Sequence, residues 1–176
     1  YWDKAGTEDG GAYTCGALMS RDPDGLFAVE HVIRGQWSSL ERNRGMEQTA
    51  RRDGSLVKIW TEQEPGSGGK ESAESTVRQL SGYNVHAERV TGDKATRAEP
   101  FAAQCEAGNV RLLAGPWHEE YIDEMCMFPQ GKYKDQVDAS SGAFNKLAVA
   151  CPWSFGEARE EDLSPWASAP RGIFNE

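Results

Sequence analysis

Two β-rich runs, AYTCGALMS (residues 12–20) and LFAVEHVIRG (26–35), are separated by only five residues, RDPDG. Pro23 pre-sets the backbone for a turn and Gly25 accepts the conformation that closes it, so the chain reverses here and the two runs pair antiparallel. A shorter run, Tyr1 to Lys4, precedes them across GTEDGG, which reads as another turn. The opening of the chain is therefore an antiparallel meander of three strands.

The remainder alternates. SSLE (38–41) is a capping-box pattern that opens a helix to about Arg52. SLVKIWTEQE (55–64) reads as a fourth strand, with Leu56, Val57, Ile59 and Trp60 too apolar for a loop. PGSGG breaks the chain, and KESAESTVRQLSG (70–82) reads as a helix stopped by Gly82. YNVHAERV is a fifth strand, and a loop and helix follow to Gly108 and Asn109. VRLLAG is a short extended piece, and PWHEEYIDEMCMF a helix with Trp117, Tyr121 and Met125 at i+4 spacing. Asp135 to Ala150 is the last helix. Later strands that arrive through helical crossovers add in parallel, so the expected fold is α/β: a mixed sheet of five or more strands with helices on both faces. The domain spans 1–150, and 151–176 reads as an irregular tail. The chain has no initiator Met and begins inside a strand, which reads as a piece of a longer protein.

Bulk composition narrows the function. The chain has 176 residues, 27% of them charged, with no apolar run near the ~20 residues of a membrane span. A net charge of -9 argues against non-specific attraction to nucleic acid, yet is compatible with an enzyme that needs carboxylates for metals. Cys15, Cys105, Cys126 and Cys151 are dispersed, without a C-x-x-C pair or a Cys/His cluster, so zinc is not expected and free thiols are. His31, His86 and His118 are isolated.

The acids carry the sharper reading. Asp3 lies on the first strand, which a meander extended by parallel strands places centrally. Glu64 lies at the end of the fourth strand, with Glu62 a rival on the same strand face. Asp135 and Asp138 share a helix face at i, i+3. Each has an ordinary structural explanation, a solvated strand end or a helix cap. Brought together and buried, however, such carboxylates repel and call for divalent cations, and hard oxygen ligands suit Mg²⁺ or Mn²⁺. Two ions ~4 Å apart support phosphodiester cleavage. Lys94 and Arg97, also at i, i+3, are candidates for contact with a phosphate backbone. EPGSGGKES is a decoy for a phosphate-binding loop: Glu64 stands where the first Gly is needed and Glu71 where Ser or Thr is needed.

EQEPGSGGKESAE, GDKATRAEPFAAQCEAGNVRLL and FPQGKYKDQVDASSGAF, with the YWDKAGT opening and RGQWS after the third strand, resemble in order the C-terminal nuclease domain of tailed-bacteriophage terminase large subunits. The resemblance covers roughly Tyr1 to Leu147. It implies an RNase H-like fold and a metal-dependent endonuclease that cuts concatemeric double-stranded viral DNA during packaging in the host cytoplasm. It implies two Mg²⁺ or Mn²⁺ ions and in-line attack by water that leaves a 5′-phosphate. Implied partners are an ATPase motor domain preceding this one, the small terminase subunit and the portal, with no membrane. By position in the family's motifs, Asp3, Glu64 and Asp135 become the catalytic metal ligands and Asp138 a supporting acid. A PQDPG form of EQEPG in the family keeps an acid at 64 and not at 62. Lys94 and Arg97 become DNA-binding residues. The chain departs from the family's H-D-D-x-x-D-A segment at Tyr133 and Lys134. A junction resolvase or integrase-type nuclease, and a silent docking module of the packaging complex, are the rival readings.

Overall fold

The computed structural model describes residues 1–5 and 11–150; part of the expected GTEDGG turn and all of the expected tail lie outside them. The order is β1 (Trp2–Asp3), β2 (Thr14–Arg21), β3 (Phe27–Gly35), α1 (Ser39–Asp53), β4 (Lys58–Gln63), α2 (Ser67–Gln79), β5 (Asn84–Arg89), α3 (Lys94–Glu106), β6 (Val110–Leu112), α4 (His118–Met127) and α5 (Asp135–Ala150). The strands form one sheet in the order β5-β4-β1-β2-β3-β6. β2 is antiparallel to both β1 and β3, whereas β4 is parallel to β1, β5 to β4 and β6 to β3. This is the expected mixed sheet, with the meander at its centre and β1 between β2 and β4. The short extended piece at VRLLAG proves to be the sixth strand, β6.

Local chemistry accounts for the turns. At RDPDG the Asp22 side chain accepts from Leu26 N at 2.8 Å, and Gly25 takes φ 91°, closing the hairpin between Arg21 and Phe27. The capping box is present: Ser38 Oγ accepts from Glu41 N, and Glu41 accepts from Ser38 N. Two expectations are corrected. Leu56 is 95% exposed in a turn rather than in β4, which starts at Lys58. α2 begins at Ser67, inside the stretch read as a break. Its first turn folds back over Glu64, and a Cβ on Gly69 would stand 2.1 Å from the Glu64 carbonyl oxygen, so only glycine permits the helix to start there.

Alternation along the strands separates two cores. One face carries Trp2 and Ile59 against Met46 and Ala50 of α1 and Leu80 after α2. The other carries Cys15, Ala17, Val29 and Val32 against Phe101 of α3, Tyr121 of α4 and Phe144 of α5. Helices therefore cover both faces. Cys15, Cys105 and Cys126 are free thiols, as expected, and Cys151 lies outside the described residues. No helix among the described residues is long and apolar enough to cross a membrane.

Candidate metal centre

Trp2 pairs in register with Thr61 across the parallel β1–β4 ladder. The next residues along, Asp3 and Glu62, consequently lie side by side, and both project to the face opposite Trp2 and Ile59. α5 packs across that same face. Its second acid, Asp138, is almost fully buried there. Asp3, Glu62 and Asp138 each present a carboxylate oxygen within 4.8 Å of the other two. Three distant segments thus deliver three acids to one point, as the sequence suggested, with a membership that differs at two positions from the motif assignment.

Glu64 lies one residue beyond β4, where the backbone turns into α2. It lines a small cavity with Lys4, Arg42 and Gly69 that Glu62 also borders. Asp135 is buried at the start of α5, and its Oδ2 accepts from Tyr13 N at 2.9 Å, which ties the helix to the entry of β2. Its charge still reaches Asp3. Tyr133, one of the two departures from the family segment, packs edge-on against Tyr13 with ring centres 4.9 Å apart.

Capping of α5 falls to neither aspartate. Glu124 reaches across from α4: its Oε1 accepts from Gln136 N at 2.6 Å and from Val137 N at 3.3 Å, and its Oε2 accepts from the Gln136 side chain at 2.8 Å. Arg34 of β3 approaches the same carboxylate at 3.3 Å. This arrangement leaves Asp138 free of capping and turned to the site. Sequence reasoning missed Glu124, because a cap donated by another helix leaves no local pattern.

Two cations stand among the acids. Lys94 Nζ lies 3.2 Å from Asp3 Oδ2 and 2.8 Å from Asp138 Oδ2. Arg97 grips both oxygens of Asp138 at 2.6 and 2.8 Å and approaches Glu62 at 3.4 Å. Asp93 caps α3, accepting from Thr96 N, and so places both cations on the site-facing side of the first turn. When all three carboxyls are ionised, three negative charges against two positive leave the cluster anionic. Burial pushes the Asp3 carboxyl up to about 6 against the pull of Lys94, with Asp138 and Asp135 adding to the rise. Burial and the charges of Asp3 and Asp138 push Glu62 up to about 7. Burial works against the Lys94 charge, but Asp3 and Asp138 outweigh it and raise its pKa.

The donor set is all carboxylate oxygen, which fits a hard divalent cation such as Mg²⁺ or Mn²⁺. A cavity of about 200 Å³ bordered by Glu62, Arg97 and Asp138 adjoins it. A larger one, about 710 Å³, lies toward the opposite end of β1, between Leu18–Arg21 and Lys58–Trp60, and contains none of the three acids. Cavity size does not mark the acid cluster in this fold.

A central meander extended by parallel strands, helices on both faces, and acids meeting from two adjacent strands and a late helix define an RNase H-like domain of the nuclease type. Residues 1–147 match the family described as the terminase RNaseH-like domain, and the chain belongs to that family. None of the curated proteins matches the chain. A terminase domain of this kind has DNA and the packaging machinery as its general partners.

Proposed function

We propose that this domain is the metal-dependent endonuclease of a tailed-bacteriophage packaging terminase, cutting concatemeric double-stranded DNA with two Mg²⁺ or Mn²⁺ ions. The observation that carries this reading is the convergence of Asp3, Glu62 and Asp138 inside a fold of the terminase RNaseH-like family. The ions, when bound, would supply charge neutralisation and activation of water. Asp3, on the strand between β2 and β4, would hold the ions together with Glu62 and Asp138. Asp135 supports the site through the Tyr13 backbone and through its charge on Asp3. Glu64 remains the motif-based alternative to Glu62, and the two are separable by substitution. Lys94 and Arg97, set among the acids of the site, serve the DNA backbone. An ATPase motor, a small terminase subunit and a portal are the proposed partners in the assembled packaging complex.

The test is nicking of supercoiled plasmid by the domain in Mg²⁺ or Mn²⁺, with Asp3→Asn beside it. Metal-dependent nicking that disappears in Asp3→Asn is the expected result. Nicking that survives Asp3→Asn overturns the assignment, and its absence from the wild type in both metals favours a docking role.

A further inference from the structure

Lys94 and Arg97 do more than fringe the acidic site. They occupy the oxygens a divalent ion would need. Lys94 Nζ lies between Asp3 and Asp138, within hydrogen-bonding distance of one oxygen on each. Arg97 engages both oxygens of Asp138 and one of Glu62. An ion coordinated by carboxylates at ~2.1 Å on the same side would stand within a few ångströms of the ammonium, where a double and a single positive charge repel strongly in a partly buried setting. Lysine and ion therefore compete for those oxygens.

The two cations differ in how readily they can leave. Arg97 reaches both oxygens of Asp138 from Nη2 and Glu62 from Nη1, its side chain is 20% exposed, and its backbone carbonyl accepts from Asn145 of α5. Lys94 sits at the first helical position on a flexible stem, with its side chain 42% exposed. Asp93 holds the helix end through Thr96 whatever the lysine does. Lys94 can therefore swing outward without disturbing α3. Once withdrawn, its ammonium lies at the rim of the site without its carboxylate partners, where a DNA phosphate can replace them.

We propose that Lys94 is an internal counter-ion that competes with the divalent cation for Asp3 and Asp138 and passes to a DNA phosphate when the cation enters, so that metal and DNA load together. This rests on the reading of the acid triad as a metal centre. Linkage makes the coupling reciprocal: DNA that captures Lys94 must tighten metal binding by the same factor by which metal tightens DNA binding.

The experiment is titration of the domain with Mn²⁺ at pH 7.5, following free Mn²⁺ by electron paramagnetic resonance, with and without a short blunt DNA duplex. Wild type, Lys94→Met, Lys94→Arg and Asp138→Asn are compared. Without DNA, Lys94→Met is expected to bind Mn²⁺ about tenfold tighter than wild type, and Lys94→Arg close to wild type. The duplex should tighten Mn²⁺ binding to wild type by about tenfold and to Lys94→Met by much less. Equal or weaker Mn²⁺ binding by Lys94→Met overturns the proposal while leaving the metal centre intact. Should that variant fail to fold, absence of the duplex effect in wild type overturns it equally. Mn²⁺ binding that ignores Asp138→Asn in every condition removes the metal centre itself, and the proposal with it.

Discussion

Glu62→Gln isolates the charge at the heart of the site. Glu62 shares a buried pocket with Asp3 and Asp138, and its carboxyl is pushed up to about 7 from an ordinary 4.5, by burial first and those two charges next. A carboxyl whose pKa is higher folded than unfolded binds more protons in the folded state between those values. Stability of the metal-free domain therefore falls as pH rises from about 4.5 to about 7, and stays lower above. At ~1.4 kcal/mol per pH unit the full linkage is ~3 kcal/mol, of which about half survives screening by the solvent that reaches the side chain. Gln keeps the shape and removes the charge. At pH 8 without metal, Glu62→Gln should be more stable than wild type by ~1–2 kcal/mol, a rise of roughly 3–6 °C in Tm. At pH 4.5 the difference should vanish. Mn²⁺ should reverse the ranking at pH 8, because it stabilises only the form that retains the ligand. The assay is thermal unfolding in chelator and in Mn²⁺ at both pH values, with Glu64→Gln alongside. Glu64→Gln should track wild type throughout. A Glu62→Gln domain less stable than wild type at pH 8 in chelator, or protected as fully by Mn²⁺, refutes the reasoning; the same behaviour in Glu64→Gln instead moves the ligand to position 64.

Glu124→Ala should cost ~2–4 kcal/mol, because it strips acceptors from the Gln136 and Val137 amides and a partner from Arg34. Hydrogen exchange should show the loss first at the opening turn of α5, and unchanged protection there would contradict the capping role. Gly142→Ala places a Cβ 2.5 Å from the Tyr1 ring, which packs between α5 and the sheet and bonds Glu88 through its hydroxyl. About 1–3 kcal/mol of overpacking is expected in chemical denaturation, and a neutral result would mean that the ring moves aside freely.

The meander was legible in the chain because its signals are local. RDPDG closes a hairpin by its own side-chain and backbone chemistry, and SSLE caps its own helix. Legibility failed where a neighbour decides. Leu56 looks like strand and is exposed, since the chain must still clear the turn after α1. Gly66 to Gly69 look like a break, yet the missing side chain at Gly69 lets α2 start against the Glu64 carbonyl. VRL is too short to declare itself and becomes a strand only beside β3.

The candidate site divides along the same line. The acids at Asp3, Asp135 and Asp138, and the basic pair Lys94 and Arg97, can be picked out from residue type and spacing alone. Which of Glu62 and Glu64 joins them depends on the β1–β4 register, a long-range pairing that sets Asp3 beside Glu62 and lets the strand end before Glu64. Which of the two α5 aspartates turns inward depends on Glu124 and Tyr13, which arrive from elsewhere to occupy the helix end and Asp135. Sequence alone thus settled the order of the longer elements and the inventory of charged groups, because hydrogen bonds between near neighbours and side-chain alternation act within a few residues. Tertiary structure alone chose the partners, because charges interact through space and only the folded sheet brings Asp3, Glu62, Asp138, Lys94 and Arg97 within reach of one another.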